Sequence, residues 1–218
     1  MRHPSIIALI AVTIVLSFAA AAPQDPPHSK APSMSPMNSA SAELKLHQDM
    51  RKLWTDHVVW TRDYIIAAVD DKPDAEAASK RLLKNQEDIG KAIVPFYGKE
   101  AGDKMTSLLK EHIMISVDII KAAKAKDNAK VKELNSTWEK NGNDIADFLS
   151  KANPNWPKAT LADMMKMHLT TTTDELMARL DKKWDQDVKA FDEVYDHILK
   201  MADALSDGIV KQFSDRFS

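Results

Sequence analysis

The 218-residue chain has no cysteine, which excludes disulfides, thiol nucleophiles and cysteine-held metals. Glycine is scarce, with five scattered residues. That argues against a glycine-rich phosphate loop and against a turn-dense β fold. An excess of one charge is also lacking: 30 basic side chains stand against 32 acidic ones. Nucleic acid and anionic membrane surfaces are therefore not expected partners. No alternating apolar–polar run marks a strand. Familiar catalytic strings are missing as well. There is no HExxH or HxxxH, no G-x-S-x-G, and no paired Glu-x-x-His of the di-iron bundles.

The N-terminus reads MRHPS, then an apolar run from Ile6 to Ala22, then PQDPP. A basic start, an apolar stretch and a small-residue end predict a secretory signal peptide over residues 1–22, cut near Ala21 or Ala22. The alternative is an uncleaved N-terminal anchor, because the 17-residue run stands at the short limit for a membrane span. Residues 23–42, PQDPPHSKAPSMSPMNSASA, are Pro/Ser-rich and read as a disordered linker. His28, Met34 and Met37 would hold copper only loosely, and a flexible tether is the simpler reading. The mature chain is expected in the periplasm or outside the cell, away from the membrane once the signal is removed.

Residues 43–216 read as one all-α domain. Apolar residues recur at helical spacing, and the breaks are DDKPDAE, VPFYGKEAG and KANPNWPKAT, with softer ones at KAKDNAK and DKKWDQD. Thr160 with Asp163 resembles a helix start, and Thr172 with Glu175 would allow a helix break inside the TTTT run. His57, His112 and His168 are 55 and 56 residues apart, and each is followed one turn later by a hydroxyl, Thr61, Ser116 or Thr172. The strings NQEDI and NGNDI place Asn85 with Asp88 and Asn141 with Asp144 on second helices. Aligned on Ile198, the third copy has Val194 and His197 at those positions. This spacing predicts a helical bundle of three αα-hairpin repeats, each of about 55 residues. At ~1.5 Å rise per residue, the asparagines, the aspartates and His197 return to the level of the histidines. A polar layer then crosses the bundle.

Polar groups in a core cost free energy unless paired. Three converging imidazoles would make a metal site with an open position, suited to zinc or copper. Asp88 and Asp144, or Asp56 and Glu111, would orient the rings. Glu175 is the acid expected to reach the pocket. The favoured function is a secreted or periplasmic bundle that binds a metal ion or small ligand at this layer. One alternative is a non-catalytic structural or interaction module whose polar layer only sets packing, each histidine satisfied by its hydroxyl one turn on. Another is a metal-dependent hydrolase with Glu175 or Asp88 as proton carrier. The sequence leans away from an enzyme. Arg62 and Arg179 would clamp an anion or, more simply, form ion pairs. Trp54, Trp60 and Trp138 read as core, and Trp156 as a plug at the bundle end. Met164, Met165 and Met167 crowd His168 and hint at copper(I), but in register with the other copies they read as local packing.

The strings LWTDHVVWTRDYI, LLKEHI, NGNDIADFL and NPNW, spread over roughly residues 44–213, resemble a group of small uncharacterised helical bacterial proteins with an LWxDHVxWTR-type motif. That group has no established activity. The resemblance implies a helical domain and carries over no site residues.

Overall fold

The computed structural model describes the backbone from residue 36 and side chains from residue 40 to the C-terminus. The expected signal peptide and most of the linker lie outside the described residues. Five α-helices make up the rest: α1 (Pro36–Val69), α2 (Ala75–Lys124), α3 (Asn128–Ala152), α4 (Lys158–Leu180) and α5 (Trp184–Gln212), followed by a 3-10 turn at Ser214–Arg216. No strand occurs among the described residues, and none of these helices is long and apolar enough to cross a membrane. As described from Pro36, α1 takes in the last residues of the segment expected as linker.

α2 is two antiparallel arms. Its backbone reverses at Gly98, whose φ of 81° suits a residue without a Cβ. Pro95, expected to end the helix, lies within it close to the reversal. The arms touch where Gly90 faces Gly102: a Cβ on Gly90 would stand 2.6 Å from the Gly102 carbonyl oxygen. Lys110 then pairs with Glu87 at 2.7 Å.

Neighbouring segments run antiparallel around a closed ring. Asn85 of the first α2 arm bonds the Leu53 carbonyl of α1, and Asn141 of α3 bonds the Leu108 carbonyl of the second arm. His197 of α5 bonds the Met164 carbonyl of α4. α3 meets α4 through Asp147 and Lys158 at 2.7 Å. α5 returns to α1 through Arg51 and Asp203, a two-pronged pair at 2.7 and 2.6 Å.

Three turns close alike. Asp71, Lys126 and Lys182 have φ of 53°, 57° and 59°, and the next residue in each case donates its N–H five residues back, from Lys72 to Ala67, Asp127 to Ala122 and Lys183 to Ala178. This is the 6→1 bond of a left-handed helix C-cap. The bundle end opposite these turns is sealed by Trp156, which donates from Nε1 to the Ala204 carbonyl at 3.2 Å. Its indole lies against Gly208, where a Cβ would meet Nε1 at 1.9 Å. Buried Asn153 joins this seal by donating to the Tyr97 hydroxyl at 2.9 Å, and that hydroxyl donates to Gln212 at 2.9 Å. α4 starts at Lys158, earlier than the Thr160–Asp163 pattern suggested, and runs unbroken through TTTT. The threonines tolerate this because Thr170, Thr171 and Thr173 each bond a carbonyl one turn back.

Candidate functional site

His57, His112 and His168 come from α1, the second arm of α2 and α4, and each is at most 4% exposed. They meet. The His168 ring centroid is 5.5 Å from that of His57 and 6.0 Å from that of His112. The three border a cavity of about 20 Å³, whose other walls include Trp54, Met164, Met165, Met201 and aliphatic side chains. That is room for about one water-sized sphere, and too little for an organic ligand.

Burial sets the charge of this layer. Desolvation pushes His57 down to about 3, helped by the nearby His112, and pushes His112 down to about 4. His168 falls well below its ordinary value for the same reason, with the other histidines adding to the effect. All three are neutral imidazoles at pH 7.

The rings are held unequally. His112 donates from Nδ1 to Asn141 Oδ1 at 2.7 Å, which leaves Nε2 as the bare nitrogen, and that atom is buried without a partner. Gln86 donates from Nε2 to His57 Nδ1 at 3.3 Å. His168 Nδ1 is buried without a partner. Asn85 and Asn141 are both fully enclosed and brace the layer through their carbonyl bonds to Leu53 and Leu108. His197 does not reach the cavity. It makes the corresponding bond to Met164, so it takes the bracing place that alignment on Ile198 had given to Val194, a buried apolar residue.

Several expected partners lie elsewhere. Asp88 pairs with Lys84, and Asp144 with Lys140 at 2.6 Å, both on outer faces. The reason is helical geometry: three residues on from a buried asparagine turns the side chain ~300°, and a lysine four residues before each aspartate waits at the surface. Asp56 pairs with Lys52 and Arg81, and Glu111 is exposed. Thr61 and Ser116 bond the backbone carbonyls of His57 and Ile113, and Thr172 Oγ1 is buried without a partner. No hydroxyl satisfies a ring. These three line a second cavity of about 20 Å³, one turn from the first.

Glu175 is buried but points to Arg62, at 2.7 Å, not to the histidines. Arg62 also bonds Asp187 at 2.9 Å, while Arg179 reaches Asp187 at 3.6 Å and pairs with Asp70. The guanidiniums of Arg62 and Arg179 lie 4.6 and 4.8 Å from the ring centroids of Phe191 and Trp184. Both arginines are thus engaged in ion pairs, not in an anion clamp.

Sequence reasoning missed Gln86 and Met201. Gln86 had a faint signal, adjoining Asn85 on the buried stripe; Met201 had none. Among the described residues, no group of three or more His, Asp or Glu side chains has the arrangement that holds a metal. The chain matches no family model, no curated protein and no solved structure.

Proposed function

We propose that the protein is a secreted or periplasmic binding protein built from three αα-hairpin repeats of about 55 residues, whose central histidine cavity takes a single metal ion. The recurrence of histidine, left-handed turn and bracing side chain at 55- and 56-residue spacing supports the repeat. The N-terminal sequence supports export.

One observation carries the binding reading: His112 Nε2 and His168 Nδ1 are buried without partners on side chains that border an ion-sized cavity. Each such atom costs about 1–3 kcal/mol. The ring spacing also suits one ion. Two imidazoles sharing a metal at about 2.0–2.1 Å would hold their centroids roughly 5–5.5 Å apart, close to the observed 5.5 and 6.0 Å. Asn141 acts as the orienting partner that metal-bound histidines use.

The structural reading has its own support in the absence of a ready-made ligand cluster among the described residues. A hydrolase is not favoured, because Glu175, Asp88 and Asp144 are all engaged away from the cavity. Metal analysis of protein purified without a histidine tag should find about one ion per chain. Metal-free protein whose melting is unchanged by zinc, copper or nickel would leave the structural reading standing.

A further inference from the structure

The helices of the ring are not joined equally. Glu87 and Lys110 tie the two arms of α2 together, and Arg51 with Asp203 ties α1 to α5. Between α3 and α4, the Asp147–Lys158 pair joins only the end beside the turn at 153–157. Further along, these two helices border a groove of about 560 Å³, a volume ordinary for a small-ligand pocket. We infer that the groove takes a small linear polyamine. It is distinct from the histidine cavity, although Met165 borders both.

Residues 56 positions apart show how this junction differs from the one within α2. Lys110 corresponds to Lys166, but Glu87 corresponds to Asn143, so the ion pair is lost. Gln86, fully buried and bonded to His57, corresponds to Gly142. Leu83, Met114 and Val117 correspond to Glu139, Thr170 and Thr173. Each of these counterparts lines the groove. A side chain is withdrawn, and apolar groups give way to oxygens. Such a wall suits a polar occupant better than the apolar stripe of another helix.

Charge and spacing narrow the occupant. Three carboxylates, Glu139, Asp163 and Asp174, line the groove against one ammonium, Lys166. Among the described residues none of these four makes an ion pair. Asp118 pairs with Lys121, whereas its counterpart Asp174 has Met177 in the lysine's place. Glu139 has asparagines, not lysines, one turn before and after it. Asn135 adds a buried carbonyl oxygen that has no partner, and an N–H donor there would remove the cost of leaving it bare. Asp163 and Asp174 stand eleven residues apart in α4, about 16 Å along the helix. One metal ion or one ammonium cannot serve both. A chain with several amines can, its methylenes lying against Trp138, Met165 and Leu169 on the same wall.

The experiment titrates spermidine into the purified, tag-free protein by calorimetry. One saturable site per chain is expected. Glu139→Gln with Asp174→Asn, both at exposed positions, should weaken binding about tenfold or more and leave the urea midpoint unchanged. Glu100→Gln with Asp192→Asn removes two exposed charges outside the groove and should leave binding unchanged. Equal weakening by this second pair would reduce the effect to general attraction and overturn the inference. Gly142→Gln restores the side chain that Gln86 supplies, at a position where a Cβ meets Met165 at an ordinary 3.6 Å, and should block binding. Should that variant fail to fold, the side-chain amide resonances of Asn135 and Asn143 in the wild type give a second readout, since spermidine should shift them. Unmoved resonances overturn the inference. So does the lack of a saturable site, or binding of glycylglycine or a neutral disaccharide in preference to spermidine.

Discussion

Single residues in this protein are constrained by what touches them. Gly208 has no room for a Cβ beside Trp156, so Gly208→Ala must displace the indole that seals the bundle. A loss of roughly 1–3 kcal/mol is expected, as for other overpacked cores, measurable as a lower urea midpoint. Glu175 makes a different prediction. Burial raises its carboxyl to about 7, against the pull of Arg62. A folded value above the unfolded one gives stability that is present below about pH 4.5 and lost as pH rises through 7. Glu175→Gln keeps an acceptor for Arg62 and removes the titration. It should therefore gain about 2.5 kcal/mol over the wild type at pH 8 relative to pH 5, as compared by denaturant melts at both values. An equal difference at the two pH values would show that Glu175 is ionised throughout.

Among the elements, the turns offer the sharpest test. Lys182 adopts φ of 59° at the end of α4, a conformation that side chains with a Cβ resist. Lys182→Gly should stabilise the fold by about 0.5 kcal/mol, relief of strain outweighing the added freedom of the unfolded chain. Lys140→Gly in the middle of α3 should cost about 1 kcal/mol in the same melts. Helices and breaks were largely legible in the sequence because proline, glycine and apolar spacing act locally. The histidine layer was legible because identical residues recur at one spacing. Neighbours on a helix are separated by ~100°, and that defeated the finer assignments: Asp88 falls outside the stripe that holds Asn85 and Ile89, while Gln86 falls inside it. The Arg62–Glu175–Asp187 group joins α1, α4 and α5, and no local pattern signals such a contact. Thr172 was expected to matter as a partner for His168. Its hydroxyl is buried without a partner, and the residue lines the neighbouring cavity instead.

For the whole molecule, three buried neutral histidines make acid the natural denaturant. Unfolded, each takes a proton as pH falls through about 6.5. Folded, His57 and His112 hold out to about 3 and about 4, and His168 titrates well below its usual value. Stability is therefore intact above about pH 7 and is lost as pH falls toward 4, at about 1.4 kcal/mol per pH unit for each histidine. Three together approach about 4 kcal/mol per unit, enough to unfold an ordinary domain within a few pH units. Urea denaturation from pH 7.5 to 4.5 should show a loss of stability less steep than this, because Glu175 takes up a proton in the fold over the same range, and His168→Leu should reduce the slope by about one proton. An unchanged slope would mean that His168 is already protonated in the fold.

The pairing of α5 with α1 has one more consequence. His47 lies 3.3 Å from Asp207, and Arg51 bonds Asp203, so the start of α1 and the end of α5 are neighbours. A ring of this kind has a cyclic order but no obligatory first member. A circularly permuted chain, opened at Lys126 and rejoined by a short tether from Phe213 to Leu44, should fold to the same helical content and keep the three imidazoles together. The ring's integrity would then reside in its seams, wherever its ends are placed.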